Sequence, residues 1–104
     1  MLLHRPLTVG GKVIGTIFTL EYEGDVFPEH THTDKDNHVS ILAHGSVKLL
    51  GKYKDKVLTA TPGGLIVDWV AGEPHGFIAL TNGATLINIL KDANSYGHIE
   101  KPQT

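Results

Sequence analysis

The sequence predicts a single all-β domain folded as a jelly-roll barrel, and two observations support this fold class. Short runs rich in Val, Ile, Thr, Leu and Phe recur between residues 7 and 90, and turn residues separate them. This alternation is typical of strands and turns, and no stretch has a helical period. Because isolated sheet edges aggregate, so many short strands favour two facing sheets or a closed barrel. We therefore expect a double-stranded β-helix, the jelly roll.

Each candidate strand is bounded by residues that turn easily. Glycines supply the positive φ angles of tight turns, and Asn82-Gly83 is the clearest sequence for a hairpin. Alternate residues of a strand face one side of a sheet, so the even-numbered residues of 38–44 are predicted to share a face. His75, Phe77 and Ala79 are predicted to share another. The candidate strands span residues 12–23, 26–32, 38–44, 47–50, 56–61, 65–70, 75–80 and 85–91.

Composition limits the class of protein. The 104 residues, 40% of them hydrophobic, suffice for one core, so we expect one domain with a barrel at about residues 10–91 and a polar arm at 92–104. Nine basic against eleven acidic residues give a net charge of −2 without a basic run, which excludes nucleic acid as the expected partner. With neither a long apolar stretch nor a signal-peptide pattern, we expect a cytoplasmic protein that does not bind membranes.

The seven histidines are the residues that call for an explanation, since the chain has no cysteine. A metal ion here needs imidazole or oxygen ligands. His30 and His32 are two residues apart and predicted to face the same way, while His38 and His75 come from other strands. Together they form a convergent set of nitrogen donors suited to a first-row metal ion.

The segment from Gly24 to Gly45 resembles the first motif of the cupin family. That motif contains a Gly, a His-x-His pair, a Glu and a final Gly. Here they correspond to Gly24, His30 and His32, then His38 in place of Glu and one residue further from the pair, then Gly45.

A second segment, from Gly64 to Ala79, resembles the second cupin motif. Its Gly-x-x-His core, Gly72 to His75, is intact, whereas Val70 replaces the usual Pro and Ala79 the usual Asn. The resemblance is to small single-domain, RmlC-like cupins of the cupin 2 type, some of which bind metal through histidines alone. It implies a jelly-roll barrel with one divalent metal ion on His30, His32, His38 and His75.

The remaining histidines and nearby acids leave alternatives open. His4 and His98 have no partners in the pattern, and His44 is about 20 Å along its strand from His38, too far to share an ion. Asp34 or Asp36 could replace His38 as a ligand because of the inserted residue, although these aspartates also fit a solvated turn.

Interior side chains of the same strands are candidates for a substrate pocket. For the apolar candidates and Phe27, core packing is the competing interpretation. The pocket candidates are Ser40, Leu42, Phe77, Trp69 and Asn88.

The expected function is that of a metal-binding cupin-domain protein. Four neutral imidazoles leave the full charge on a divalent ion of Fe, Mn, Ni, Cu or Zn, so the site favours anionic or chelating small molecules. The resemblance suggests a metal-dependent small-molecule dioxygenase, and the alternative is a non-catalytic binding or sensor module. We also expect a homodimer, because the sheet edges of so short a barrel need cover.

Overall fold

The computed structural model describes residues 1–30, 38–68 and 73–90. These ranges contain nine strands without a helix, which confirms the predicted all-β class. In the same ranges no helix is long and apolar enough to cross a membrane. The strands are β1 (Leu2–Val9), β2 (Lys12–Leu20), β3 (Val26–His30), β4 (His38–His44), β5 (Ser46–Gly51), β6 (Val57–Thr59), β7 (Leu65–Asp68), β8 (His75–Ala79) and β9 (Ala84–Leu90).

Two antiparallel sheets enclose one core. The five-stranded sheet has the order β1-β2-β9-β4-β7, and the four-stranded sheet has the order β3-β8-β5-β6. Buried side chains from both sheets form one apolar cluster, so the sheets pack face to face as in a jelly roll. The cluster comprises Leu20, Leu42, Ala84 and Leu86 from the first sheet and Phe27, Val47, Leu49, Phe77 and Ala79 from the second.

Strand β1 is an edge strand that was not among the predicted strands, which began at residue 12. Most of its residues are exposed, and it lacks the alternation of apolar and polar side chains that marks a half-buried strand. Pro6 has no N–H and therefore suits an edge. β1 exists because it pairs with β2 along its whole length, which its own residues do not signal.

Two turns differ in what they connect. Gly10 and Gly11, with φ angles of 58° and 81°, join β1 to β2 as a two-residue hairpin. The prediction of a hairpin at Asn82-Gly83 is wrong, because β8 and β9 belong to different sheets. The Gly83 N–H donates to the Leu20 carbonyl at 3.0 Å, which fixes this turn as a corner between the sheets. Local turn residues reverse the chain without determining which sheet the next strand joins.

Candidate functional site

Strand β3 contains one extra residue, and this bulge orients His30. Phe27 pairs with Phe77 and His30 pairs with His75, so three residue steps in β3 oppose two in β8. Without the extra residue, Phe27 and His30 would face opposite sides of the sheet. With it both side chains lie on the inner face, where their rings stack with centroids 5.0 Å apart.

Two neighbouring residues allow the bulge to form. Pro28 lies in it, and proline is tolerated in a strand at bulges and edges, which β3 provides. Gly76 lies opposite, where an added Cβ would be 2.8 Å from the Glu29 backbone N and Cα. Only glycine lets the two backbones approach this closely.

His75 lies on the inner face of β8, as the alternation predicted. It is 4% exposed, and Phe77 and Ala79 on the same face are buried with it. Its register partner on β5 is Gly51. The His75 and half-buried His30 rings meet edge to face, with centroids 4.5 Å apart.

Backbone carbonyls set the tautomer of both rings. His30 Nδ1 lies 2.8 Å from the Pro28 carbonyl oxygen, and His75 Nδ1 lies 3.2 Å from that of Glu73. A carbonyl oxygen only accepts, so each Nδ1 carries the proton and donates it. In a neutral imidazole the lone pair is then on Nε2, the usual arrangement of a metal-binding histidine.

The backbone that orients His75 is itself anchored by the loop after β5. Lys52 Nζ lies 2.6 Å from one Glu73 carboxylate oxygen, and the Tyr53 hydroxyl donates to the other at 3.0 Å. The hydrogen bonds that Lys52 and Tyr53 donate lower the pKa of Glu73. The hydrogen bond to Glu73 in turn raises the pKa of Lys52. Glu73 is thus held at both ends, by its side chain to the loop and by its carbonyl to the histidine.

The wall below the histidines is aromatic. The Phe27 ring meets the rings of Phe77 and Phe18 edge to face, with centroid distances of 5.7 Å and 4.7 Å. Phe77 and Leu42, two of the pocket candidates, belong to the buried apolar cluster. Both side chains are therefore part of the apolar core.

Ser40 and Asn88, the polar pocket candidates, are paired across the five-stranded sheet. They are register partners on β4 and β9, and Ser40 Oγ donates to Asn88 Oδ1 at 2.7 Å. Ser40 is 2% exposed, so its side of this polar contact is buried. It supplies hydrogen-bonding atoms on the sheet that faces the histidine pair.

Other predicted residues are less completely described. His32, Trp69, His98, Asp34 and Asp36 lie outside the described residues, and for His38 only the backbone is described, at the start of β4 opposite Leu90. His44 does not keep the inward face predicted for it, because β4 has an extra residue between Leu42 and His44. It is exposed on the surface, as is His4.

The described residues fit part of a metal site. They contain no cluster of three or more His, Cys, Asp or Glu that could hold an ion. The two rings present do suit adjacent ligands of one ion: imidazoles bound at about 90° have ring centroids roughly 4.6 Å apart, close to the observed 4.5 Å. The positions of His30 and His75 are thus compatible with two adjacent ligands of one ion, and two donors alone do not make a metal site.

Comparison with known proteins gives the fold. No family model matches the chain, and no curated protein matches it. Among solved structures, an RmlC-like cupin from Shewanella frigidimarina has a TM-score of 0.64 at 21% identity, with 89% of this chain and 79% of that chain covered.

Two further structures are similar to the chain. An RmlC-like cupin from Desulfovibrio desulfuricans has a TM-score of 0.61 at 22% identity over 86% of this chain and 81% of its own. KdgF from Halomonas sp. has a TM-score of 0.60 at 16% identity, with 88% of this chain and 82% of that chain covered. The chain therefore has the cupin type of jelly roll. At these identities the similarity extends to the fold and not to ligands or activity.

Proposed function

We propose that the protein binds one divalent transition metal ion through His30, His75, His32 and His38, and that the ion organises a small-molecule pocket. The observation that carries this proposal is the His30–His75 pair. Their rings are 4.5 Å apart, and both have the proton fixed on Nδ1 by a backbone carbonyl. The two histidines are register partners of β3 and β8, and their shared tautomer places both lone pairs on Nε2, as the ligands of one ion require.

The ligand set determines the class of small molecule. Neutral imidazoles leave the full divalent charge at the site, and a six-coordinate ion with four protein ligands keeps two positions for a ligand. Such an ion, when bound, supplies Lewis acidity and, if redox-active, the ability to activate dioxygen. We therefore propose an anionic or chelating small molecule as ligand.

The surrounding residues would orient the ligands of the ion and exclude water from the space beneath them. The Pro28 and Glu73 carbonyls orient the imidazoles, and Phe27 and Phe77 keep water out of the space beneath them. Exclusion of water strengthens the electrostatic interactions of a bound anion. The reaction class that we propose is dioxygen-dependent oxidation of the chelating molecule, and a binding or sensor role is the alternative.

Metal loading followed by oxygen measurements tests the proposal. Metal-free protein is incubated under nitrogen with Fe(II), Mn, Ni, Cu or Zn salts, and bound metal is measured by elemental analysis after desalting. We expect about one ion per chain. Protein that stays metal-free with every salt contradicts the proposal, and His44→Ala is the matched control because His44 is a surface histidine of β4, in the other sheet.

The iron-loaded protein then separates turnover from binding. Small dicarboxylates and catechols serve as chelating probes, and dioxygen uptake is followed with an electrode. Uptake that requires both protein-bound iron and a probe supports the oxygenase. Probe binding without uptake supports the non-catalytic alternative.

A further inference from the structure

Three polar residues form a row across the inner face of the five-stranded sheet. Asn88 of β9 is the register partner of Ser40 on β4 and, on its other side, of Thr16 on β2. The row continues into Pro6 on β1 and Val67 on β7, neither of which has a polar side chain. The hydrogen-bonding side chains are therefore confined to the three central strands. We call Thr16, Asn88 and Ser40 the polar row.

The polar row lies at the same level of the barrel as the histidine pair. Strands β8 and β9 leave one corner, residues 80–83, in the two facing sheets. Alternate residues of each strand point inwards, so inward residues can be counted as levels from that corner. At the third level β8 presents His75, and β9 presents Asn88.

A ring contact between the sheets supports this count at the second level. Phe18 is the register partner of Leu86 on β9, and Phe27 is that of Phe77 on β8. The ring centroids of Phe18 and Phe27 are 4.7 Å apart. Facing sheets pack about 10 Å apart, so one small molecule at the third level can contact both the histidine pair and Asn88.

Ser40 fixes the orientation of the Asn88 amide. The Ser40 hydroxyl donates to Asn88 Oδ1 at 2.7 Å. The amide oxygen is therefore engaged, and the two N–H groups on Nδ2 point away from Ser40. Among the described residues no side chain or carbonyl accepts a hydrogen bond from Asn88 Nδ2. The polar row thus offers two oriented donors to a molecule in the interior.

We infer that Asn88 selects carboxylate chelators, by donating a hydrogen bond to the carboxylate oxygen that the metal ion does not bind. This inference rests on the proposed metal site. A carboxylate that coordinates through one oxygen keeps a second, charged oxygen, which is a strong acceptor for an amide N–H. A catecholate has only carbon and hydrogen beyond its two coordinating oxygens, so it offers Asn88 no such acceptor. The substrate class narrows from chelating anions to carboxylates.

Titration of the metal-loaded protein with two probes tests the selection. Isothermal titration at one pH gives the dissociation constants of malonate and catechol for the parent and for Asn88→Leu. The constant for malonate should rise roughly tenfold, as for a lost hydrogen bond to a charged group, while that for catechol should stay within about twofold. Equal changes for the two probes, an unchanged constant for malonate, or a metal-loaded parent that does not bind malonate overturns the inference.

A second variant keeps the test independent of folding in Asn88→Leu. The carboxylate of Asn88→Asp can still accept the hydrogen bond from Ser40, so this variant should fold, as circular dichroism can verify. It lacks both N–H donors and adds a negative charge, so malonate should bind more weakly still than to Asn88→Leu. Malonate binding equal to that of the parent overturns the inference.

The hydroxyl that orients the amide provides a matched pair of serine variants. Ser40→Ala leaves the Asn88 donors in place but frees the amide to rotate, so the constant for malonate should rise by less than in Asn88→Leu. Ser46→Ala is the control, because the Ser46 hydroxyl pairs with Thr59 in the other sheet. A larger change in Ser46→Ala than in Ser40→Ala overturns the role given to the polar row.

Elemental analysis of the same samples separates this inference from the proposed function. Every Asn88 variant should keep the metal content of the parent, because Asn88 donates to the bound molecule and not to the ion. A parent that binds no metal overturns the proposed function and the inference with it. Loss of metal from a folded Asn88→Leu overturns the inference alone, since Asn88 would then act on the ion.

Discussion

The extra residues in β3 and β4 act in opposite ways on the histidine that follows each of them. In β3 the bulge brings His30 to the inner face beside Phe27. In β4 the bulge takes His44 away from the face of the buried Leu42 and leaves it exposed. Both histidines lie on strands of the barrel, yet only His30 contacts another imidazole, that of His75, among the described residues.

This difference shows that cross-strand register, rather than spacing within one strand, decides whether a histidine joins the site. Alternation counted along β3 would separate His30 from Phe27, and alternation counted along β4 would keep His44 with Leu42. In each case one added residue reverses the outcome.

Removing the inward histidines should have the largest effect. His30→Ala and His75→Ala should each lower bound metal at least tenfold, because each removes a nitrogen donor, whereas His44→Ala should bind as the parent does. Elemental analysis after dialysis measures the ratio of metal to protein. Metal loss in His44→Ala equal to that in His30→Ala would remove the distinction between the two bulges.

Closing the space beside the β3 bulge should have the next largest effect. In Gly76→Ala the new Cβ meets the Glu29 backbone, so we expect a loss of about 2 kcal/mol in the free energy of unfolding and weaker metal binding. Gly10→Ala is the control: its Cβ meets nothing within 4 Å, and only the φ of 58° is unfavourable. Urea unfolding and metal titration give both quantities. Unchanged metal affinity in Gly76→Ala would show that the bulge does not orient His30.

His38 lies at the start of β4, before the bulge in that strand, and allows a third histidine to be compared. If His38 is a ligand, His38→Ala should weaken metal binding, while His38→Glu should retain the metal and bind anions less tightly, since the site loses one unit of charge. Isothermal titration with metal and then with a dicarboxylate measures both. Parental behaviour in both variants would mean that His38 is not a ligand.

Loss of the hydrogen bonds that anchor the Glu73 side chain should have the smallest effect on metal affinity. Lys52→Met and Tyr53→Phe remove hydrogen bonds that are one step further from the metal than the Glu73 carbonyl, so affinity should fall by less than about tenfold. Lys54→Met, in the same loop, is the control. The His75 Nδ1 proton should also exchange faster in NMR spectra of the Lys52 variant. An unchanged exchange rate would argue against the anchoring role.

Much of the fold, and part of the candidate site, could be predicted from the sequence. The strands after residue 12 and the face shared by His75, Phe77 and Ala79 follow from alternation, which the structure retains in β8. The cupin motif spacings pointed to the jelly roll that the similar structures share. The metal, its four ligands and the homodimer stay predictions.

The features that the sequence does not reveal depend on pairing between distant segments. The two bulges are mismatches between strands and do not appear in either strand alone. Pro28 and Gly76 are local signals for the β3 bulge, since a proline inside a strand marks an edge or a bulge and a glycine often marks a close backbone approach. The alignment of Ile17, Ile87, Ile41 and Ile66 as register partners is another such feature, since it requires the register of four strands.

The central position of β9 has a consequence for how the chain folds during synthesis. Residues 84–90 are the last described strand in the chain, yet they lie between β2 and β4. A ribosome that has released the first eight strands has therefore released two halves of a sheet whose inner edges are both unpaired. Native topology is reached only when the ninth strand emerges to join them, so folding depends on contacts of long sequence separation and should be slow.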